Sequence, residues 1–305
     1  MRSINFTFLG DENIVKDFGK KGTSTDITIY DRKDADTIRT WTCPTSFPEK
    51  IQALFQAIDM GEYVIFYITK LDKFTGEQII ALDVLNRTKG ILCHSYDVDR
   101  DKIFTMIKGT VVEQYKIVEP SDLKKEMDSL EPVSNGGPTK IAIDHCFDVK
   151  GVGTVVLGKV NSGKVKTYDT LKLLPKGGDV LIKSIQMHDD TVSEAAYPAR
   201  VGLSVKGLSP DDVQRGDVLS PPDLMRVEQE ITLDYRQNRY FKENIGENQT
   251  VVVSIGLQAR PAKIVSLNPM RLSLGKPAVF DNNDVCVILR PESLSIRIVG
   301  GGKII

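Results

Sequence analysis

The sequence has 305 residues and a formal net charge of −1, from 40 Lys and Arg against 41 Asp and Glu. This balance excludes a global field that would draw the protein onto nucleic acid, and the length fits two or three domains. The four cysteines form no Cys-x-x-Cys pair, and the longest apolar run is Tyr63–Ile68. We therefore expect a cytoplasmic protein from a reducing compartment, without metal, disulfide or membrane span.

Residues 1–130 predict an α/β domain. Apolar strands alternate with amphipathic helices, which is typical of a mostly parallel sheet with helices on its faces. Pro48 suits the first turn of a helix whose apolar face holds Ile51, Leu54 and Ile58. The predicted strands are 3–9, 26–30, 37–42, 63–68, 90–95 and 111–117, and the predicted helices are 48–60, 75–86, 99–108 and 121–129.

The first strand is followed by a fragment of a phosphate-binding loop. A P-loop has the pattern Gly-x-x-x-x-Gly-Lys-Ser/Thr after such a strand. Gly10 is followed at that spacing by Val15, Lys16 and Asp17. Valine places a Cβ where the backbone must close on a phosphate, and aspartate replaces the magnesium-binding hydroxyl with a negative charge. Lys16 alone keeps the pattern, and a lone lysine after a strand is more often simply solvated.

Residues 131–138 predict a linker, and residues 139–222 predict a small closed β-barrel. The linker is rich in Gly, Pro, Ser and Asn. Six short β-branched runs follow, each bounded by turn residues, at 141–147, 153–160, 170–174, 180–187, 200–207 and 216–220. Strands of this length and spacing are typical of a barrel.

The barrel resembles the second domain of the translational GTPases, the family of elongation factor Tu. The residues that carry the resemblance are the run 151–160 (GVGTVVLGKV), Arg200–Leu203, and the run 215–219 (RGDVL). The family resemblance implies a GTPase-like α/β domain at 1–130, followed by two barrels of the domain II and domain III type. Within the family, the sequence is most similar to the archaeal selenocysteine-specific elongation factors.

The resemblance also identifies a second nucleotide motif that has changed. The family has Asp-x-Pro-Gly-His after the third strand; with Pro44 aligned, Thr42, Thr45 and Ser46 hold its Asp, Gly and His positions. Segment 22–28 lies where the first switch would be, although a threonine-rich strand edge explains it equally.

The guanine-recognition motif has changed as well. The family's Asn-Lys-x-Asp falls at residues 94–97, where only Asp97 is retained. Gly10, Lys16 and Asp97 are then the remnants of a nucleotide site. We expect a degenerate GTPase-like domain without catalytic residues, GTP or magnesium.

The resemblance implies a pocket for an aminoacyl group in the first barrel. The selenocysteine-specific factors have an Asp-His pair in the first barrel strand and an Arg before the Val-Gly strand, and Asp144, His145 and Arg200 match them. Arginine and a protonated histidine would attract a selenolate, and aspartate would accept an α-amino group. A turn cap, a half-buried ring and a barrel-edge arginine are the alternative interpretation.

Four lysines are candidates for contact with the tRNA backbone, which requires charge rather than base readout. They are Lys159, Lys164, Lys166 and Lys172. Lysines that protect exposed strand edges against aggregation are the competing explanation.

Residues 223–305 predict a second β-barrel by the same spacing argument. The closing run 291–302 resembles the Arg-Ile-x-Gly-x-Gly ending of the third domain in the same family. The segment Tyr235–Lys242 interleaves aromatic and basic residues, which would suit RNA or a loop packed on the barrel. The selenocysteine-specific factors continue into a fourth domain, which we do not expect in a sequence that ends at Ile305.

Three hypotheses for function follow. The first is an elongation factor-like protein without GTPase activity that binds aminoacyl-tRNA, including selenocysteinyl-tRNA, or a related aminoacylated ligand. The second is a divergent GTPase that uses GTP and magnesium. The third is a non-enzymatic scaffold that docks on the ribosome or another translation factor. None of them involves DNA or a membrane.

Overall fold

The computed structural model describes residues 1–305 as an α/β domain (domain I) followed by two β-barrels (barrels II and III), which confirms the predicted fold class. None of its helices is long and apolar enough to cross a membrane. Domain I contains strands β1 (Arg2–Leu9), β2 (Lys20–Ser24), β3 (Thr28–Asp34), β4 (Thr37–Cys43), β5 (Tyr63–Ile68), β6 (Gly90–His94) and β7 (Lys116–Ile117). Its helices are α1 (Glu12–Val15), α2 (Ile51–Met60), α3 (Lys73–Val84), α4 (Arg100–Ile107) and α5 (Leu123–Asp128).

The sheet of domain I has the order β2-β3-β4-β1-β5-β6-β7. Strands β4, β1, β5, β6 and β7 run parallel, while β2 and β3 add an antiparallel hairpin at one edge. Both faces of the parallel part of the sheet are covered, and consequently nearly every residue of β1 and β4 is buried. Their carboxyl ends meet at one edge, where open α/β sheets bind ligands.

Three details of domain I differ from the sequence-based prediction. The predicted strand 111–117 begins as a 3₁₀ turn (Val111–Gln114), and only Lys116–Ile117 pairs with β6. Helix α2 begins at Ile51 after Lys50, so Pro48 lies outside it. The hairpin strand β2 and the one-turn α1 were not predicted, because the KKGTS run of β2 has no apolar residue to signal a strand.

Barrel II contains the six predicted strands. They are β8 (Lys140–Val149), β9 (Gly153–Ser162), β11 (Thr170–Leu174), β12 (Asp179–Met187), β15 (Arg200–Lys206) and β16 (Val218–Ser220), with short ribbon strands β10 (Lys164–Lys166), β13 (Asp190–Val192) and β14 (Glu194–Ala196). The order β11-β16-β8-β9-β15-β12 closes because β12 pairs back onto β11. Apolar side chains from the inward faces fill the barrel.

Barrel III is a closed six-stranded barrel of order β17-β20-β19-β18-β21-β22. Its strands are β17 (Arg226–Gln237), β18 (Thr250–Ile255), β19 (Gln258–Leu267), β20 (Met270–Phe280), β21 (Val285–Leu289) and β22 (Ile298–Ile304). In the aromatic and basic segment 235–242, Phe241 is buried in the barrel core, while Tyr240 is exposed beside Arg239.

Candidate functional site

A bulge in β8 brings Asp144 and His145 together. Strand β8 pairs with β9, and the register shifts between Ile143 and His145. Consecutive residues of a regular strand point to opposite faces, but a bulge redirects the extra side chain. His145 Nδ1 consequently lies 3.0 Å from Asp144 Oδ1, close enough for the ring N–H to donate to the carboxylate. The bulge could not be read from the sequence pattern.

Arg200 joins the pair from β15, on the other side of β9. Its Nε donates to Asp144 Oδ2 at 3.1 Å, and its Nη2 lies 3.0 Å from the same oxygen. Burial alone would raise the pKa of Asp144. The charge of Arg200 and the hydrogen bond from His145 outweigh burial, so the pKa lies below its ordinary value. The three predicted pocket residues therefore form one cluster with an ionised carboxylate at its centre.

The cluster lies at the contact between domain I and barrel II. Arg200 Nη2 donates to Thr23 Oγ1 of β2 at 3.4 Å. Arg215 approaches from the run 215–219: its Nε donates to the Asp144 backbone oxygen at 3.3 Å, and its Nη2 donates to Thr25 Oγ1. No role was predicted for Arg215, although it is part of the run 215–219 that carries the family resemblance.

The three side chains of this pocket differ in solvent exposure. The Asp144 side chain has no exposed surface, whereas His145 and Arg200 are 21% and 17% exposed. Asp144 therefore orients the two other side chains and is itself covered, instead of facing an α-amino group. The surface left to a ligand consists of the remaining guanidinium N–H groups and the imidazole Nε2, which donates when the ring is protonated; these groups then suit an anionic or acceptor group.

The predicted tRNA contact at Lys159 is wrong. This side chain is 5% exposed, and its Nζ lies 2.5 Å from Glu62 Oε1 of domain I. The same Nζ donates to the Asp59 backbone oxygen at 3.2 Å. Lys159 is a buried link between domain I and barrel II. Its partner belongs to another domain, so the local sequence gave no sign of the pair.

The other three lysines are exposed on barrel II. Lys164 and Lys166 lie on β10, and their Nζ atoms are 3.9 and 3.8 Å from Glu194 Oε2. Lys172 lies on β11, and its Nζ is 2.9 Å from Asp179 Oδ1. Exposed pairs of this kind contribute little to stability. These lysines are accessible to a polyanion, and the cross-strand carboxylates account for them equally well as edge protection.

A cavity of about 330 Å³ opens at the carboxyl ends of β1, β4 and β5. Gly10 lines this cavity, but Lys16 and Asp97 do not, so the three nucleotide remnants do not share one cavity. Lys16 is exposed and donates to Asn13. A Cβ on Gly10 would lie 2.7 Å from the Tyr67 backbone oxygen, so close packing against β5 already explains this glycine.

Glu12 places a carboxylate in the wall of this cavity. Its Oε1 accepts from the Tyr30 hydroxyl at 2.7 Å and its Oε2 accepts from the Thr45 hydroxyl at 3.0 Å. Magnesium-bound phosphates need backbone N–H groups, a lysine and a hydroxyl at this edge. At the P-loop spacing this chain has Val15, Lys16 and Asp17, and the Glu12 carboxylate is engaged by two hydroxyl groups, so the P-loop set of groups is not reproduced here.

Comparisons with known proteins identify the relatives of this chain. Residues 153–220 match the family model of elongation factor Tu domain 2. An uncharacterized protein of Methanocaldococcus jannaschii is 35% identical over 299 residues, which cover 96% of each chain. The selenocysteine-specific elongation factor of the same organism is 28% identical over 278 residues; the match covers 76% of this chain but only 59% of that factor.

A solved structure shows the same arrangement of domains. The crystal structure of translation elongation factor SelB from Methanococcus maripaludis, in complex with the GTP analogue GPPNHP, superimposes with a TM-score of 0.82 at 20% identity. The match covers 99% of this chain and 78% of that one. The chain therefore has the translational GTPase fold and is related to the selenocysteine-specific elongation factor.

Proposed function

We propose that this elongation factor-like protein binds an aminoacyl-tRNA, or a related aminoacylated ligand, without hydrolysing GTP. The observation that carries the proposal is the convergence of His145 and Arg200 on the buried carboxylate of Asp144, at the contact between domain I and barrel II. Two oriented cationic or donor groups are more than the barrel needs for folding, and a selenolate or carbonyl oxygen would be bound by them.

Each residue of the pocket has a distinct role in this proposal. Arg200 supplies a permanent positive charge toward the aminoacyl side chain or ester, because a guanidinium does not lose its proton in proteins. His145, when its ring is protonated, supplies a second N–H donor from Nε2, and the orientation of the ring depends on Asp144. Asp144 is covered and positions both. The tRNA backbone would follow barrel II past Lys164, Lys166 and Lys172.

The absence of GTP hydrolysis is supported by both sequence and geometry. Val15 and Asp17 stand where the phosphate loop needs glycine and a hydroxyl, and Glu12 directs a carboxylate into the cavity at the strand ends. Thr42 and Ser46 stand where the family has its aspartate and water-positioning histidine, and Ser46 is occupied by a 3.0 Å hydrogen bond to Asp26. The groups that would hold magnesium and orient a water in the family are therefore replaced.

A deacylation-protection assay tests the proposal. Purified protein is incubated with selenocysteinyl-tRNA, seryl-tRNA or bulk aminoacyl-tRNA, each with and without GTP, and ester hydrolysis is followed over time. We expect protection of at least one aminoacyl species without GTP. Arg200→Ala should abolish that protection, whereas Lys176→Ala, which removes an exposed charge from the same barrel, should not.

The other outcomes separate the remaining hypotheses. Protection that appears only with GTP would mean that the nucleotide site works and that the chain is a divergent GTPase. No protection of any species would reject the aminoacyl pocket and leave a scaffold that docks on the ribosome or a translation factor. Equal protection by wild type and Arg200→Ala would place the contact elsewhere on the protein.

A further inference from the structure

We infer that Glu77 and Arg297 are positioning residues that hold domain I against barrel III, so that, together with the contacts of domain I to barrel II, the pocket around Arg200 is assembled without a nucleotide. The inference concerns the regulation of the pocket and rests on the proposed function for its biological meaning. The contacts of Glu77 and Arg297 lie between domains and include no residue of the pocket itself.

Glu77 and Arg297 form a buried pair between helix α3 and barrel III. The Arg297 backbone N–H and Nε donate to Glu77 Oε1 at 2.9 and 3.1 Å, and its Nη2 donates to Oε2 at 2.5 Å. The Glu77 side chain has no exposed surface, and that of Arg297 is 8% exposed. A carboxylate with this many donors is fully satisfied only when barrel III is in place.

Arg297 also reaches the segment that leads into α2. Its Nη1 donates to the Pro48 backbone oxygen at 2.5 Å, and its guanidinium lies 5.6 and 5.7 Å from the ring centroids of Phe47 and Phe74. Phe47 and Pro48 directly follow the run 42–46, where the family has its second nucleotide motif. In this protein, that segment is attached to barrel III by an arginine.

Apolar side chains extend the contact between the domains. Val287, Leu289 and Ile298 of barrel III are fully buried within the same cluster as the core of domain I. A second cluster combines residues of β3, the residue before it and α2 with one residue from each barrel: Ile27, Ile29, Ala53, Ala57, Met60, Ala142 and Leu257. These surfaces are packed like a core instead of being wet and polar like a sliding contact.

A further set of contacts connects this packing to the pocket. Lys159, which pairs with Glu62 of domain I, is the direct neighbour of Arg200 across the β9–β15 ladder. Asn5 Nδ2 donates to the Pro198 backbone oxygen at 2.7 Å, just before β15 begins. Movement of domain I would therefore strain the strand that presents Arg200 and withdraw Thr23 from it.

The energetics favour one arrangement of the domains. A nucleotide-controlled switch needs two arrangements that differ by little free energy, which the ligand can then shift. Separating domain I from barrel III here would break the hydrogen bonds between Glu77 and Arg297 and would expose the apolar core that the two domains share. The pocket is consequently present all the time, and its occupancy depends on the aminoacylated ligand alone.

Hydrogen exchange of the full chain, read by mass spectrometry, tests this inference. In the wild type, peptides covering Thr23–Ile29 and Ala57–Glu62 should exchange slowly, and magnesium with GTP should not change their rates. Arg297→Met should speed exchange in these remote peptides by at least about tenfold, because opening of the domains becomes more frequent. Arg290→Met is the matched control, since Arg290 pairs with Glu243 and Glu292 of its own barrel.

Two results would overturn the inference. One is slower hydrogen exchange in the wild-type peptides after GTP is added. This measurement needs no variant, so it can be made even if Arg297→Met does not fold. The other is a result in which Arg297→Met accelerates hydrogen exchange only in peptides of barrel III and Arg297→Lys gives the same exchange rates as Arg297→Met. Neither result depends on tRNA, so failure of the aminoacyl pocket in the protection assay remains a separate outcome.

Discussion

At the scale of single residues, Asp144 carries the sharpest prediction. Its charged carboxylate is buried between Arg200 and His145, and replacement by Asn leaves Arg200 without a counter-charge. We expect Asp144→Asn to lower the free energy of unfolding by about 3 kcal/mol at pH 7, as for other broken buried pairs. Asp190→Asn, which removes an exposed partner of Lys33, should change it by less than about 0.5 kcal/mol.

The pH dependence follows from the direction of the pKa shift. Because the folded protein holds the pKa of Asp144 below its ordinary value, the stabilisation is complete above the unfolded value of about 4 and is lost as the pH falls through the folded value. The difference between wild type and Asp144→Asn should therefore shrink below pH 4. Urea unfolding at pH 7 and pH 3 measures it, and a constant difference would contradict the assignment.

Residue identities were easier to predict than residue environments. Asp144, His145 and Arg200 were identified by resemblance, and the structure brings them together. Lys159 looked the same as its exposed neighbours because a strand residue's partner in another domain leaves no local pattern. Glu12 was missed for the same reason, since its hydroxyl donors come from Tyr30 and Thr45 on other elements.

At the scale of elements, the end of β22 shows how barrel III closes. Gly302 pairs with Tyr235 of β17, and a Cβ at this glycine would overlap the Asp234 backbone oxygen. We expect Gly302→Ala to lower the free energy of unfolding by about 2 kcal/mol or more, since the backbones must separate. Chemical denaturation measures this effect.

Gly76 is the matched control for Gly302. It lies within α3, and a methyl group added at its Cα would have no neighbour within 4 Å, so the substitution restricts only the unfolded chain. Gly76→Ala should raise the free energy of unfolding by roughly 0.5–1 kcal/mol. Equal effects at both glycines would show that backbone freedom, and not the close contact with β17, explains Gly302.

Periodicity accounts for which elements were predicted. Strands β11, β12 and β15 of barrel II alternate buried with more exposed residues, and the β-branched runs of all six strands end at turn residues, so all six were found. Strand β2 was missed because it is an edge strand held by β3, and the run 111–114 was assigned to a strand because its valines fit either conformation. Tertiary pairing, which decides such cases, cannot be read from a short run.

At the scale of the whole molecule, the three parts share their cores. Residues of domain I and barrel III occupy one apolar cluster, and Ile38 of β4 packs with the core of barrel II. A protein built in this way is expected to unfold in one cooperative transition rather than domain by domain. Its buried contacts between domains favour a single arrangement of domain I and the two barrels.

The effect of GTP on the melting temperature is a property of the whole molecule. A ligand that binds only the folded state raises stability by RT ln(1 + [L]/Kd), about 2.7 kcal/mol at one hundred times Kd, which moves the melting temperature on the order of 4 °C. Because Glu12 and Asp17 place negative charge at the phosphate edge, we expect no change with millimolar GTP and magnesium. Calorimetry measures it, with the Methanococcus maripaludis factor as the positive control. A rise that grows with GTP concentration would show that domain I binds the nucleotide by other groups than the P-loop, and the pocket at Arg200 would then have to be considered under nucleotide control.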